Sequence, residues 1–205
     1  MCGIAGIFLH ADEEPLKEQL LPMSVAMRYR GPDDEGFFMA PHIGLVHRRL
    51  SIRDLSPAGH CPMGSPDGRV QVVFNGEIYN WRELRLELEG FGFAFKSQSD
   101  TEVLVHGYEA WGAGLISRLR GMFAIAIWDG GTSELLLARD RAGEKPLYLQ
   151  VTENGLAFAS SLDAIKIDEE SKIDPIAIAC HLVHSFIPSS HTVWNGVDAM
   201  PPGFL

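Results

Sequence analysis

Cys2 is the residue of this chain with the most evident reactive chemistry. It follows Met1 directly, and because cysteine is small we expect Met1 to be removed. Cys2 would then carry a thiol, with an unperturbed pKa of about 8.5, and a free α-amine, with a pKa of about 7.7–8.0. The amine can accept the thiol proton near neutral pH, so this position predicts an N-terminal nucleophile. The alternative is an inert, buried cysteine at the start of a strand.

Three polar sites elsewhere each have an ordinary structural interpretation. Asn75-Gly76 is a typical type I′ hairpin turn. Asp100 stands where a helix begins and suits an N-cap. Arg49 fits a solvated surface position. On residue type alone, these alternatives stay open.

Composition restricts the class of protein. The 205 residues are 46% hydrophobic and 21% charged, as expected for one large globular domain or one domain with an extension. The net charge of −10 argues against nucleic acid or an anionic membrane as the main partner, because both need basic patches. The three cysteines are too few and too scattered for a disulfide framework, so we expect a cytoplasmic protein with reduced thiols.

The elements that must position these residues follow from the apolar patterning. Short apolar runs predict strands, and the Asp129–Thr132 segment between two of them indicates a hairpin. Asn80 and Glu83 have capping-box spacing at the start of a helix. The pattern predicts an α+β fold with antiparallel strands. The expected strands span 3–9, 37–39, 43–47, 70–74, 122–128, 134–138, 147–151 and 156–159, and the expected helices span 16–27 and 174–186 and begin at Asn80 and Asp100.

Seven sequence blocks occur in an order that resembles one known family. They are MCGIAGIF, RYRGPDDEG, HRRLSI, FNGEIYN, SDTE, LRGMFA and ARDRAGEKPLY. Together they resemble the glutamine-hydrolysing domain of the asparagine synthetase B family, a class II, N-terminal-nucleophile glutamine amidotransferase. The resemblance runs from Cys2 to about residue 165 and continues weakly to the Pro-Pro-Gly near the end.

The resemblance implies a fold and a site. The fold would be a four-layer αββα sandwich of the N-terminal-nucleophile hydrolase type. Cys2 would attack the glutamine side-chain amide, while the Asn75 amide and the Gly76 N–H would hold the oxyanion. Arg49 would bind the substrate carboxylate, and Asp100, with Glu77 as a second contact, would bind its ammonium group.

The resemblance also implies an organisation and a set of partners. Residues 1–165 would be the amidotransferase domain, and residues 166–205 a helical extension and linker toward a synthetase domain. That domain, and not this one, would need ATP and magnesium: Ser160-Ser161-Leu162-Asp163 lacks the glycines of a phosphate-binding loop. We expect the chain to be an excised domain. L-glutamine and a synthetase domain or subunit are the expected partners, and a homodimer is left open.

Two other functions remain as alternatives. An N-terminal-nucleophile amidohydrolase could act on a different amide, although Arg49 and Asp100 suit a free amino acid. A non-catalytic regulatory domain is disfavoured by Cys2. His181 and His184 have helical spacing, but no further ligands follow, so we expect no metal site.

Overall fold

The computed structural model describes residues 1–10, 14–165, 172–188 and 191–205. The strands are β1 (Gly3–Leu9), β2 (Asp34–Ala40), β3 (Ile43–Arg49), β4 (Met63–Gly64), β5 (Val70–Ile78), β6 (Gly121–Asp129), β7 (Glu134–Arg139), β8 (Tyr148–Thr152), β9 (Gly155–Ala159) and β10 (Asp198–Ala199). The helices are α1 (Lys17–Ala26), α2 (Trp81–Gly90), α3 (Asp100–Trp111), α4 (Leu115–Arg118) and α5 (Pro175–His184).

The strands form two antiparallel sheets. The six-stranded sheet has the order β10-β8-β9-β1-β3-β2, and the four-stranded sheet has the order β4-β5-β6-β7. β1 lies between β3 and β9, so the start of the chain is held on both sides, with Gly3 opposite Arg48. Cys2 therefore stands at the end of a central strand.

Three hydrophobic cores fix the order of the layers. Ile4, Leu45 and Val73 belong to a core between the two sheets. Leu20 and Met23 pack α1 against the outer face of the six-stranded sheet. A third core joins α2 and α3 to the outer face of the four-stranded sheet. The molecule is thus a four-layer αββα sandwich, and the predicted fold class is confirmed.

Most predicted elements form, but the predicted Asn80 cap is wrong, and the structural alternatives left open for Asn75-Gly76 and Asp100 do not occur. β5 continues to Ile78, so Asn75-Gly76 lies inside a strand that pairs with β6 and not in a hairpin turn. The Asn80 side chain does not cap α2; its amide bonds the backbone of Arg118 and Arg120 instead. The N-cap of α3 is Ser99, whose hydroxyl accepts from the Thr101 N–H, and Asp100 is the first helical residue.

The last residues return to the body of the fold. β10 pairs with β8, and the Arg139 guanidinium donates to the Met200 carbonyl, which anchors the segment before Pro201. The predicted domain boundary at residue 165 stays a prediction, because residues 166–171 lie outside the described residues. No helix in the described ranges is long and apolar enough to cross a bilayer.

Candidate active site

A cavity of about 200 Å³ opens beside Cys2, between the ends of β1, β3 and β5 and the start of α3. This volume is below the usual range for drug-sized ligands and suits a small metabolite. We call it the Cys2 cavity. The residues that line it are Met1, Cys2, His47, Arg49, Leu50, Ile52, Arg53, Gly59, Cys61, Phe74, Gly76, Glu77, Ser99, Asp100, Thr101, Met122 and Lys145.

Cys2 is held by two backbone contacts. Its Sγ lies 3.7 Å from the Leu50 carbonyl oxygen, and the Arg30 Nε donates to the Cys2 carbonyl at 3.0 Å. Burial raises the pKa of the Cys2 thiol in this Met1-bearing chain, although the Leu50 contact, the Met1 amine and the Arg49 charge lower it. A thiol in this position needs a nearby base to become a nucleophile.

Arg49 is a buried cation held by carbonyl groups. Its guanidinium donates to the carbonyls of Arg53, Asp54 and Ser56, and only 8% of the residue is exposed. A Cβ at Gly59 would lie 2.1 Å from Arg49 Nη2, so the absent side chain makes room for the guanidinium. Within the described residues, no carboxylate forms a salt bridge with Arg49. The charge is fixed in place and left available for an anion.

Asp100 supplies the opposite charge. Its Oδ2 accepts from the Ile78 N–H at 2.9 Å, which orients the carboxylate at the end of β5. Burial, with a smaller contribution from the Glu77 charge, raises the pKa of Asp100 to about 6, against the Ile78 hydrogen bond and the Arg53 charge. Glu77 is itself paired with Arg53, at 2.6 Å. A cationic ligand in the cavity would favour the ionised form of Asp100.

Asn75 and Gly76 are adjacent in β5 but have different surroundings. Gly76 lines the Cys2 cavity, and a Cβ there would lie 2.1 Å from the Met122 carbonyl oxygen. Asn75 is not a lining residue; strand alternation puts its side chain on the same face as Val73, toward the six-stranded sheet. The side chain is 1% exposed, and its Nδ2 has no hydrogen-bond partner among the described residues. A buried amide donor without a partner is costly and points to a ligand that completes it.

The structure thus brings five of the six predicted site residues to one cavity, with Asn75 next to it. Sequence reasoning assigned no role to three others. Arg30, in the RYRGPDDEG block, holds the Cys2 carbonyl. His47 donates from Nε2 to the Phe74 carbonyl across the two sheets, and burial lowers its pKa to about 4, so the ring is neutral. Lys145 lines the cavity although it is 71 positions beyond Phe74. The one sequence signal for these three residues was that each lies in one of the seven blocks of the family resemblance.

The residues considered for a metal do not form a site. Cys180, His181 and His184 lie on α5, and none of them lines the Cys2 cavity. No group of three or more metal-ligating side chains occurs in the described part of the chain.

Comparison with known proteins places this geometry in a family. The family described as "Glutamine amidotransferase domain" matches residues 1–205. "Asparagine synthetase [glutamine-hydrolyzing] 1" of Bacillus subtilis is 39% identical over 210 residues, which covers 99% of this chain and 33% of that protein. "Asparagine synthetase [glutamine-hydrolyzing] 2" of the same organism is 43% identical over 168 residues, 80% of this chain and 22% of that protein. The chain therefore spans a third or less of these relatives.

A solved structure supports the fold. Glutamine phosphoribosylpyrophosphate amidotransferase from B. subtilis, complexed with ADP and GMP, superposes with a TM-score of 0.66 at 21% identity, over 80% of this chain and 42% of that one. At this identity the likeness concerns the fold alone. The match over the whole chain and the identity to the two synthetases show that the chain belongs to the glutamine amidotransferase domain family.

Proposed function

We propose that this domain hydrolyses L-glutamine to glutamate and ammonia through a thioester on Cys2. The observation that carries the proposal is the content of the Cys2 cavity: a thiol, a buried carboxylate and a buried guanidinium that pairs with no carboxylate of the described ranges. A free amino acid has the complementary groups, an α-carboxylate and an α-ammonium, with a side-chain amide to offer to the thiol.

The reaction begins when Met1 has been removed. The α-amine of Cys2 takes the thiol proton, and Sγ attacks the side-chain carbonyl carbon of glutamine. The Nδ2 of Asn75, which lacks a partner among the residues that the structure describes, and the Gly76 N–H stabilise the resulting oxyanion. The Cys2 ammonium returns its proton to the leaving nitrogen, ammonia departs, and the γ-glutamyl thioester remains. Water then attacks the thioester, restoring the thiol and releasing glutamate.

Recognition of the substrate uses the fixed charges. Arg49 binds the α-carboxylate, and its three carbonyl contacts hold the guanidinium before the substrate arrives. Asp100 binds the α-ammonium, with Glu77 as a second contact that Arg53 holds in place. The ammonium also offsets the cost of ionising a buried carboxylate with a pKa of about 6.

The ammonia would serve an amide-forming synthetase domain or subunit. This proposal is supported by the names of the relatives, glutamine-hydrolysing asparagine synthetases that are about three or more times as long as the matched region. ATP and magnesium would belong to that synthetase and not to this domain. The three cysteines are all free, as expected for a cytoplasmic enzyme. The ammonia acceptor is either aspartate or a carboxylate of a sugar or polysaccharide.

The test compares Met1-free protein with Cys2→Ala in a coupled assay for glutamate and ammonia. Wild type should release both in equal amounts, and Cys2→Ala should release neither while keeping its melting temperature. Glutamine with blocked α-groups serves as the control and should be a poor substrate. Hydrolysis of the blocked compound as fast as glutamine would contradict the assignment and favour the general amidohydrolase.

A further inference from the structure

Lys145 is a buried cation in the Cys2 cavity that the reaction described above does not use. It is 7% exposed, and no salt bridge to it occurs within the described ranges. The Sδ of Met1, a weak acceptor, lies 3.5 Å from its Nζ. Lysine is rarely this buried without a charged partner, so the position calls for an explanation.

The backbone of Lys145 is fixed on both sides. Its N–H donates to Asp140 Oδ2 at 3.0 Å, and its carbonyl accepts from Arg139 Nε at 2.7 Å. Asp140 also accepts from the N–H groups of Phe123, Ala142 and Glu144. The ammonium is therefore presented from a rigid turn and not from a free loop.

The contact with Met1 places the ammonium on the amine side of Cys2. From Sδ to the nitrogen of the following residue, a methionine spans about 6 Å, so Nζ lies within about 10 Å of the Cys2 nitrogen. Removal of Met1 takes away the sulfur and turns that nitrogen into a free amine. The protonated α-amine would then be a second positive group within about 10 Å of Nζ.

The other charged groups of the cavity are already engaged. Arg49 is bound to carbonyls, Arg53 is paired with Glu77, and His47 is neutral. Asp100 accepts from the Ile78 N–H and awaits the substrate ammonium. Cys61 is kept as a neutral thiol, because burial raises its pKa to about 12. Arg49 and Arg53 keep their positive charges in these contacts, and the Arg30 guanidinium, whose Nε donates to the Cys2 carbonyl, is a further cation near the amine. Lys145 is the cation whose ammonium contacts Met1.

We propose that Lys145 is a positioning residue that keeps the free α-amine of Cys2 in its neutral, basic form at working pH. A neighbouring positive charge disfavours protonation of the amine. An amine with an ordinary pKa of about 7.7–8.0 would be mostly protonated at pH 7 and unable to accept the thiol proton. The inference rests on the proposed function for its purpose, but the effect on the amine can be measured without it.

The experiment measures the α-amine pKa directly, in a Cys2→Ala background that has no thiol. The pH dependence of N-terminal acetylation by acetic anhydride is read on the N-terminal peptide by mass spectrometry. Lys145→Met should raise the amine pKa by about 0.5–1 unit. Lys145→Arg should restore the parental value, and Lys172→Met, at an exposed position, is the matched control and should change nothing. If Lys145→Met does not fold, Lys145→Gln makes the same comparison.

In the Cys2 enzyme, the pKa on the acid limb of the pH profile of kcat/KM should rise by the same amount in Lys145→Met. It should return to the wild-type value in Lys145→Arg. An amine pKa unchanged in the folded neutral variant would overturn the proposal. An amine shift in a protein that does not hydrolyse glutamine would leave this inference standing and refute the proposed function instead.

Discussion

Two buried asparagines, Asn75 and Asn80, provide a sharp test of how the site is built. Asn75 Nδ2 has no partner in the described part of the chain, whereas Asn80 bonds the Arg118 carbonyl and the Arg120 N–H at 3.0 and 2.9 Å. If Asn75 is kept for the oxyanion, its replacement should damage catalysis and not folding. Replacement of Asn80 should do the opposite.

The magnitudes follow from these contacts. Loss of one oxyanion donor costs about 10²–10³ in kcat, or about 2.7–4 kcal/mol. Asn75→Ala also removes a buried, unsatisfied donor, so the free energy of unfolding should change by less than about 1 kcal/mol. Asn80→Ala leaves two backbone groups without partners and should lose about 1–3 kcal/mol of stability with kcat nearly unchanged.

The assay combines the rate of ammonia release at saturating glutamine with urea unfolding of the same preparations. We expect Asn75→Ala to lose activity without losing stability, and Asn80→Ala to lose stability without losing activity. A variant Asn75→Ala that keeps kcat within a few-fold of wild type, or that loses as much stability as Asn80→Ala, would refute the reasoning.

Three further predictions concern charge. Arg49→Lys and Asp100→Asn should each lower kcat/KM for glutamine by about tenfold to a hundredfold, since hydrogen bonds to charged groups contribute roughly 1.5–3 kcal/mol. Unfolding curves check that the fold of each variant is intact. An unchanged kcat/KM would contradict the assigned contacts. In Cys2→Ala, calorimetric Kd for glutamine should rise as pH falls through the Asp100 pKa of about 6, because only the ionised carboxylate pairs with the ammonium, and Asp100→Asn should abolish this dependence. Burial opposes ionisation of Glu102, but the nearby His106 ring and hydrogen bonds from Ser97 and the Lys96 N–H lower its pKa to about 2. The stability this gives is present above the ordinary value of 4.5 and lost as pH falls toward 2, and Glu102→Gln should remove that pH dependence in urea titrations.

Strands with continuous apolar runs, and helices with a clear capping residue, could be predicted from the sequence because these signals are local. β6 and β7 with their hairpin, and α5 with Asp174 as its N-cap, form as their patterns indicate. Asn75-Gly76 could not be placed by local rules, since a turn-forming dipeptide here lies inside β5, where pairing with β6 outweighs its intrinsic preference.

The site could be predicted only from the seven sequence blocks that carry the family resemblance. Cys2, Arg49, Gly76, Glu77 and Asp100 meet in one cavity, but no spacing rule could have shown that they would, because β1, β3 and β5 are joined by long connections. The position of Lys145 could not be predicted for the same reason. Asp140 holds the turn that brings Lys145 next to Met1. Ser99, not Asp100, caps α3, which leaves the carboxylate of Asp100 free to face the cavity.

The most direct test of the central claim is the site of covalent labelling by a glutamine-like diazo ketone. Cys61 lines the same cavity as Cys2, so a reagent that merely enters the cavity meets two thiols. Burial raises the pKa of Cys61 to about 12, whereas Cys2 gains a base when Met1 is removed. Peptide mapping should therefore find one adduct per chain, on Cys2, and glutamine should protect against it. An adduct on Cys61 or Cys180 in place of Cys2 would contradict the account.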